Sequence, residues 1–424
     1  HGIYIVKIQI RNGGNILSKE GNYRGWVIVA VSFLILMFIF ATCISCMGVY
    51  LKPVTDEFGI SRTDFSLITT MQAFAMILSS LFAGKLLEKY NIKILMMIGV
   101  LCCSVCLFIY AIAPSIVYFY AASVLMGISI SMTCNIPISI VIKDWFRNKN
   151  EGTALGIAFV GSGFGAMILN PLYTYIIENF GWRYSFAFGG ACVLVILTPL
   201  VLIFMKRNQQ STAAEEVKCR ETDNVALEND FTLGEAFKKP QTWAVFIAYT
   251  ILPFVAMAIL NHGVPFMTDN GMSSEKAAMI ISYASGVLII GKIAVGMLYD
   301  KLGVYKTNLI EAVLFLVCFI AFWMNGLFDS PILMVLFIVL YGLGIPIGTI
   351  SIQMVLPLMY GKSHFGTLMG MFSIGNGLAG MLQVVISMIY DKTGSYTAAW
   401  IMLTALCVLV IFILAICVRP QRKS

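Results

Sequence analysis

Apolar residues along this chain come in long unbroken runs, and the charges collect in the short stretches between them. Twelve such runs fall at about 26–50, 64–83, 93–113, 115–142, 152–177, 184–205, 241–266, 276–299, 307–327, 331–357, 365–390 and 396–418. Each is long enough to cross roughly 30 Å of hydrocarbon as a helix. The short alternating segments of a membrane barrel do not occur. The pattern predicts an all-α integral membrane protein with twelve transmembrane helices.

One polar stretch interrupts the series. Residues 206–240, KRNQQSTAAEEVKCRETDNVALENDFTLGEAFKKP, are charged and poor in large apolar groups, so they bury too little surface to fold alone. This predicts an N-terminal segment over 1–25, a six-helix bundle over 26–205, a linker over 206–240, a second bundle over 241–418 and a tail over 419–424. The halves repeat. Gly152, Thr153, Gly156, Gly161 and Gly163 of span 5 recur 214 residues later as Gly366, Thr367, Gly370, Gly375 and Gly377 of span 11. GKLLEKYNIK from Gly84 and GMLYDKLGVYK from Gly296 stand 212 apart. Parallel repeats of this kind mark transporters that rock two pseudo-symmetric bundles about a central site. The glycines let helix backbones approach closely where lipid supplies no hydrophobic drive.

Composition agrees: 59% of residues are hydrophobic and 12% charged, about half the charge of a soluble domain. With both termini placed in the cytoplasm, 22 lysines and arginines fall in inner segments. Five fall outside: Lys52, Arg62, Arg183, Lys276 and Lys392. The positive-inside rule favours this orientation. The net charge of +7 is therefore a topology signal and no footprint for nucleic acid. The first residues, HGIYIVKIQIRNGGNILSKEGNYR, are too polar for a cleavable signal, so span 1 is expected to stay in a multi-pass protein of the plasma membrane. Of eleven cysteines ten lie in spans and Cys219 in the linker. Cys43 and Cys46 have C-x-x-C spacing but no histidine or acid beside them, so they read as small apolar filler.

Lys292 is the remaining cation, and the only one this reading places deep in an apolar helix, ISYASGVLIIGKIAVGMLYD. A charge there costs about 2.5–3.5 kcal/mol on insertion scales, and such residues face polar interiors or ion paths. Eight residues separate it from Asp300, about 12 Å of helix, which sets it near mid-membrane. A substrate anion, a proton or gating role, and a structural cation held by backbone carbonyls are the three readings. Gln72, Asn135, Tyr283, Tyr341, Gln353, Asn376 and Gln383 are further candidates for lining a substrate path; interhelical hydrogen bonding is the alternative for each. His262, near the outer part of span 7, titrates in a useful range and is the candidate for proton coupling, with a satisfied structural histidine as the alternative. No carboxylate lies mid-span, and Glu311 falls near the inner end of span 9.

These motifs resemble the major facilitator superfamily. The loop after span 2 is similar to its G-x-L-x-D-R-x-G-R-K signature through Gly84, Leu86, Glu88, Lys89 and Lys93, with Glu88 for the usual Asp and Asn91 for the second Gly. The second copy has Gly296, Leu298, Asp300, Lys301, Gly303 and Lys306. Acids at helix ends beside cations suit a cytoplasmic gate latch; loop charges obeying the topology rule are the plainer reading. Within the superfamily the chain resembles the monocarboxylate and oxalate/formate branch. The resemblance rests on Trp145, Phe146, Ala154, Gly156, Ile157, Ala158, Gly161, Gly163 and Gly165, on Tyr23, Gly25 and Trp26, and on His262, Pro265 and Gly271.

What the resemblance implies is specific. A cation four residues before the span 8 glycine contacts the substrate carboxylate in that branch, and Lys292 stands four before Gly296. Lysine is a point donor without arginine's planar fork. Oxalate carriers add a lysine on span 11, where this chain has Asn376; animal proton-linked relatives have an Asp where this chain has Leu288. One cation suits a monoanion such as lactate, pyruvate or formate. The expected function is secondary transport of a small organic anion by alternating access, with protons or a counter-anion as partners. An oxalate/formate-type dicarboxylate exchanger and an efflux carrier for another small molecule are the alternatives. No nucleotide-binding loop, zinc helix or catalytic serine motif occurs, so no enzymatic activity, cofactor or metal is expected. Symport, exchange and uniport, the direction of flow and the oligomeric state stay open.

Overall fold

The computed structural model describes residues 23–60, 62–146, 150–206, 231, 233–361 and 364–418. The expected N-terminal segment up to residue 22, residues 207–230 of the linker with Cys219, and the tail lie outside the described residues. Twelve helices are long and apolar enough to cross a membrane: Tyr23–Ser45, Leu67–Leu87, Ile92–Ile112, Ile116–Phe146, Glu151–Phe180, Trp182–Phe204, Pro240–Asp269, Met279–Leu302, Val304–Phe328, Pro331–Tyr360, Phe365–Tyr390 and Thr397–Cys417. They are spans 1 to 12 below.

Local chemistry sets their ends. The Asn91 side chain accepts from the Lys93 amide to start span 3, and Ser273 does the same for Lys276 before span 8. Gly303 joins spans 8 and 9 at φ +81°, a conformation that suits glycine. Span 1 widens into a π-helix over Leu36–Ser45, and Met47–Tyr50 and Leu51–Phe58 follow as separate short helices. Span 4 turns sharply at Cys134 (φ −92°, ψ −111°). Pro137, three residues on, lacks the amide that would continue the ladder to Thr133. The helix resumes and carries Lys143 inside it. This corrects the expectation that span 4 ends at 142 and that Lys292 is the only buried cation: Lys143 is 8% exposed.

The spans form two six-helix bundles, 1–6 and 7–12. Aliphatic and aromatic side chains such as Ile112, Val195, Ile332 and Phe412 cover the outside, as lipid-facing helices require. Polar contacts are held within: Thr42 with Tyr173 at 2.8 Å and Tyr50 with Ser185 at 2.8 Å in the first bundle, Tyr249 with Ser351 at 2.7 Å in the second.

Two seams join the bundles, spans 2 with 11 and spans 5 with 8. They share one plan. A Cβ added to Gly84 would sit 2.2 Å from the Gly366 carbonyl oxygen, and one on Gly296 would sit 2.3 Å from that of Gly152. One on Gly370 would meet the Ser80 carbonyl at 2.4 Å, and one on Gly156 the Lys292 carbonyl at 2.5 Å. Gly377 faces Ile77, and Gly163 faces Ile289. Every contact maps onto its twin through the 212 and 214 offsets of the sequence. Ser139 and Gln353, also 214 apart, hydrogen-bond each other from spans 4 and 10. Equivalent residues that touch lie at the pseudo-twofold axis, as in any self-complementary interface.

Candidate substrate and gating site

The close approach of spans 5 and 8 determines what Lys292 can reach. Gly156 lets the span 5 backbone lie against the Lys292 carbonyl, so the lysine side chain runs along span 5. Its ammonium donates to the Phe159 carbonyl at 3.0 Å and to Ser162 Oγ at 3.1 Å. Ser162 in turn donates to the same carbonyl at 2.9 Å. Lys292 is 7% exposed. Both acceptors are neutral, and among the described residues no carboxylate pairs with it. An ammonium carries three donors, so one is left beyond these two bonds. The cation thus bridges the halves on neutral acceptors alone, a costly placement for a buried charge. Backbone-carbonyl pairing, the structural reading of the sequence, describes this conformation.

Towards the end that carries the 2–3, 4–5, 8–9 and 10–11 loops, here called the basic face, the seam is polar. Asp300 accepts from the Gly152 amide at 2.8 Å, the Thr153 amide at 2.8 Å and the Thr153 hydroxyl at 2.5 Å. A carboxylate on the unpaired first amides of span 5 satisfies orphan donors and meets the positive end of the helix dipole. Gly296 supplies the close approach, while Lys301 is solvent-exposed. In the other copy Gly84 packs on Gly366 and Thr367, and Lys89 lies 5.6 Å from the Tyr90 ring. The Glu88 side chain is outside the described residues. Lys143 donates to the Gln353 carbonyl, lies 3.6 Å from Glu151 and sits 3.8 Å over the Phe365 ring. These contacts tie the two halves together from the level of Lys292 to the basic face. On the same helices beyond that level, Gly286 and Gly380 have no heavy atom within 4 Å of an added Cβ.

The other candidates are spread out. Gln353 belongs to the axial contact with Ser139 and also donates to Thr349 at 3.0 Å. Gln383 donates to the Phe254 and Ala379 carbonyls, and Gln72 to the Cys43 carbonyl at 3.2 Å; each leaves a buried carbonyl oxygen unpartnered. Tyr341 is buried beside Phe337. Asn376 and Asn135 are half-buried, and Tyr283 is 61% exposed. His262 is half-buried with its ring 5.7 Å from that of Tyr396. None of these shares a hydrogen bond with Lys292. The partners it does have, Phe159 and Ser162, escaped sequence reasoning: a backbone acceptor has no residue signature, although a serine between Gly161 and Gly163 on the packing face was a signal. Cys43 and Cys103 thiols lie 3.6 Å apart in the first bundle.

Two six-helix halves are joined by matched seams, with a buried cation bridging them. The chain belongs to the Major Facilitator Superfamily, whose family model matches residues 33–384. Its relatives include monocarboxylate transporter 12-B of Danio rerio, 23% identical over 98% of this chain and 92% of that protein. The uncharacterized MFS-type transporter YcxA of Bacillus subtilis is 24% identical over 87% of this chain and 88% of its own length. The oxalate:formate antiporter of Oxalobacter formigenes is 25% identical over 61% of this chain and 59% of its own. Among solved structures, double-Trp mutants of XylE superpose with a TM-score of 0.74 at 13% identity, covering 96% of this chain and 97% of that one. The Escherichia coli fucose:proton symporter FucP gives 0.66 at 14%, covering 92% and 98%. The protein is a transporter and not an enzyme.

Proposed function

We propose that this transporter carries a small organic monoanion, a monocarboxylate such as lactate, pyruvate or formate, and that Lys292 is the group that meets the carboxylate. The observation that carries the reading is the Lys292 ammonium, buried between the halves and bonded only to neutral acceptors on span 5. An arriving carboxylate replaces those acceptors with a charge-assisted bond, and the cation's contacts to span 5 change as it does so. Substrate binding and the seam between spans 5 and 8 are thereby linked. The relatives named for monocarboxylates and for oxalate and formate support an anionic substrate. Asn376 in place of a second lysine supports one carboxylate over two.

In this reading the basic face is cytoplasmic, as are both termini and the 206–240 linker, and the protein sits in the plasma membrane. The conformation described is the one sealed towards the cytoplasm, with Asp300, Gly84, Gly296 and the span 2 and span 8 loops as the latch. A thermal-shift screen of small mono- and dicarboxylates on the purified protein, followed by vesicle uptake, tests the reading; a ligand that binds only the folded state raises its melting temperature. Stabilisation by a monocarboxylate that disappears in Lys292→Gln and partly returns in Lys292→Arg supports it. Uptake unaltered in Lys292→Gln removes the anion site. Gain of a dicarboxylate shift in Asn376→Lys would place span 11 at the second carboxylate.

A further inference from the structure

The second bundle holds a buried acid that the transport reading leaves unused. Glu311 of span 9 is 0% exposed. One carboxyl oxygen, Oε2, accepts from the Tyr299 hydroxyl of span 8; the other, Oε1, is buried with no hydrogen-bond partner. No charged residue among those described reaches it. The titratable groups that face it are Tyr299 from span 8 and Tyr249 from span 7. Asn308, Ser351 and Tyr249 complete a polar cluster beside it, with Ser351 Oγ 2.6 Å from Asn308 Oδ1. A carboxylate in such a place, without a cation and with a bare oxygen, is far more costly than the neutral acid.

The seam lies on the Tyr299 side of this acid. Tyr299 neighbours Asp300, and an added Cβ on Gly152 of span 5 would lie 2.9 Å from the Tyr299 Cβ. Span 5 therefore lies over Tyr299, and Glu311 lies behind it. Span 5 is thus the one wall of this enclosure contributed by the other bundle, and parting spans 5 and 8 takes that wall away.

We propose that Glu311 is a proton-binding site whose occupancy lets the basic face seal. Closing the seam over an ionised Glu311 would strand a charge, so closing takes up one proton from the basic side, and opening releases it there. Acid then favours the sealed state and alkali the open one. The other acids described at this seam are Asp300, which holds the Gly152 and Thr153 amides, and Glu151, which lies 3.6 Å from Lys143. The inference holds whichever solute is carried, so its test needs no substrate.

The test uses the purified full-length protein in lipid nanodiscs. Infrared difference spectra between acid and alkali should show a protonated-carboxyl band in the wild type that is absent in Glu311→Gln. Hydrogen exchange at residues 151–156, corrected for the chemical rate, should slow in acid in the wild type. In Glu311→Gln, which mimics the occupied site, it should stay slow across the pH range in which the wild type switches. Absence of a Glu311-dependent band overturns the proposal. So does a band that never titrates, or protection that follows pH equally in both proteins. Should Glu311→Gln fail to fold, Tyr299→Phe keeps the acid and removes its donor: a displaced switching pH supports the site, and an unchanged one overturns it.

Discussion

The seam between spans 2 and 11 and the seam between spans 5 and 8 are built from equivalent residues, yet among the described residues only the second carries a charge in its interior. At the 212 offset Ser80 answers to Lys292, Leu87 to Tyr299 and Gly99 to Glu311. Ser80 closes its own bonds, to Ile77 at 2.8 Å and to Gly370 across the seam at 3.2 Å. Leu87 is apolar and buried, and Gly99 packs against Thr133 and Met132. Lys292, Tyr299 and Glu311 instead bring a cation, a hydroxyl and an acid to the matching places. The repeat thus builds closure, and departures from it build chemistry. A glycine pair lets two backbones meet; it cannot choose a solute or sense a proton.

The comparison breaks most sharply at Ser80 and Lys292. Lys292→Gln is expected to lower carboxylate uptake by about a hundredfold, the scale of losing a buried charge partner. Ser80→Ala should leave uptake within about fivefold, since a single neutral hydrogen bond contributes about 1 kcal/mol or less here. Vesicle uptake with matched protein levels measures both. Equal losses would make the two seams alike and remove the reason for assigning the anion to one.

Next come the glycines. Gly156→Ala and Gly370→Ala each push a Cβ to about 2.5 Å or less of a backbone carbonyl that cannot swing away. Overpacking of this kind costs about 1–3 kcal/mol, so the sealed state should lose about five- to a hundredfold in population. Gly163→Ala is the control: its added Cβ meets only Ile289, at an ordinary 3.5 Å. Hydrogen exchange along residues 151–163 reads all three variants. Gly163→Ala as damaging as Gly156→Ala would mean that helix flexibility matters here and close approach does not.

A smaller effect is expected at the latch. Asp300→Asn keeps an acceptor for the span 5 amides but removes the charge at the helix start. A loss of about 1 kcal/mol, about fivefold in sealed population, follows. Thr153→Val, which removes one hydroxyl donor and leaves the amides bonded, should fall below that. Faster exchange of the Gly152 and Thr153 amides in Asp300→Asn is the reading to look for.

The twelve spans were legible because lipid demands long apolar helices, and the repeat was legible because close backbone contact demands glycine. Lys143 was missed for a physical reason: the turn at Cys134 and the proline after it let span 4 restart, so the helix runs on past the unbroken apolar run ending at Ile142 as far as Phe146. The Ser139–Gln353 pair stood in the sequence at the 214 offset, unread because serine and glutamine do not look alike. The partners of Lys292 could not be read, since the Phe159 carbonyl belongs to the main chain. Glu311 was placed correctly near the end of span 9, but its burial depends on Tyr299 from span 8 and on the Tyr249 cluster, which only tertiary packing brings together.

A pair far from both seams sharpens the comparison by doing nothing to it. Glu57, on the short helix Leu51–Phe58, accepts from Trp182 Nε1 at 2.5 Å and from the Arg183 guanidinium, which also reaches the Ala113 carbonyl at 3.2 Å. The hydrogen bond from Arg183, helped by that from Trp182, holds the Glu57 carboxyl below its ordinary range. A carboxyl lowered in the folded state adds stability above its unfolded value and loses it as pH falls through the lowered one. The wild type should therefore melt slightly above Glu57→Gln at neutral pH, and the gap should close in acid. Both partners are about 40% exposed, so the gap should be small and should shrink in high salt. All of these residues lie in the first bundle, so exchange at residues 151–156 should not respond. If it does, the bundle does not move as a rigid body, and the two seams are coupled through its interior as well as across the axis.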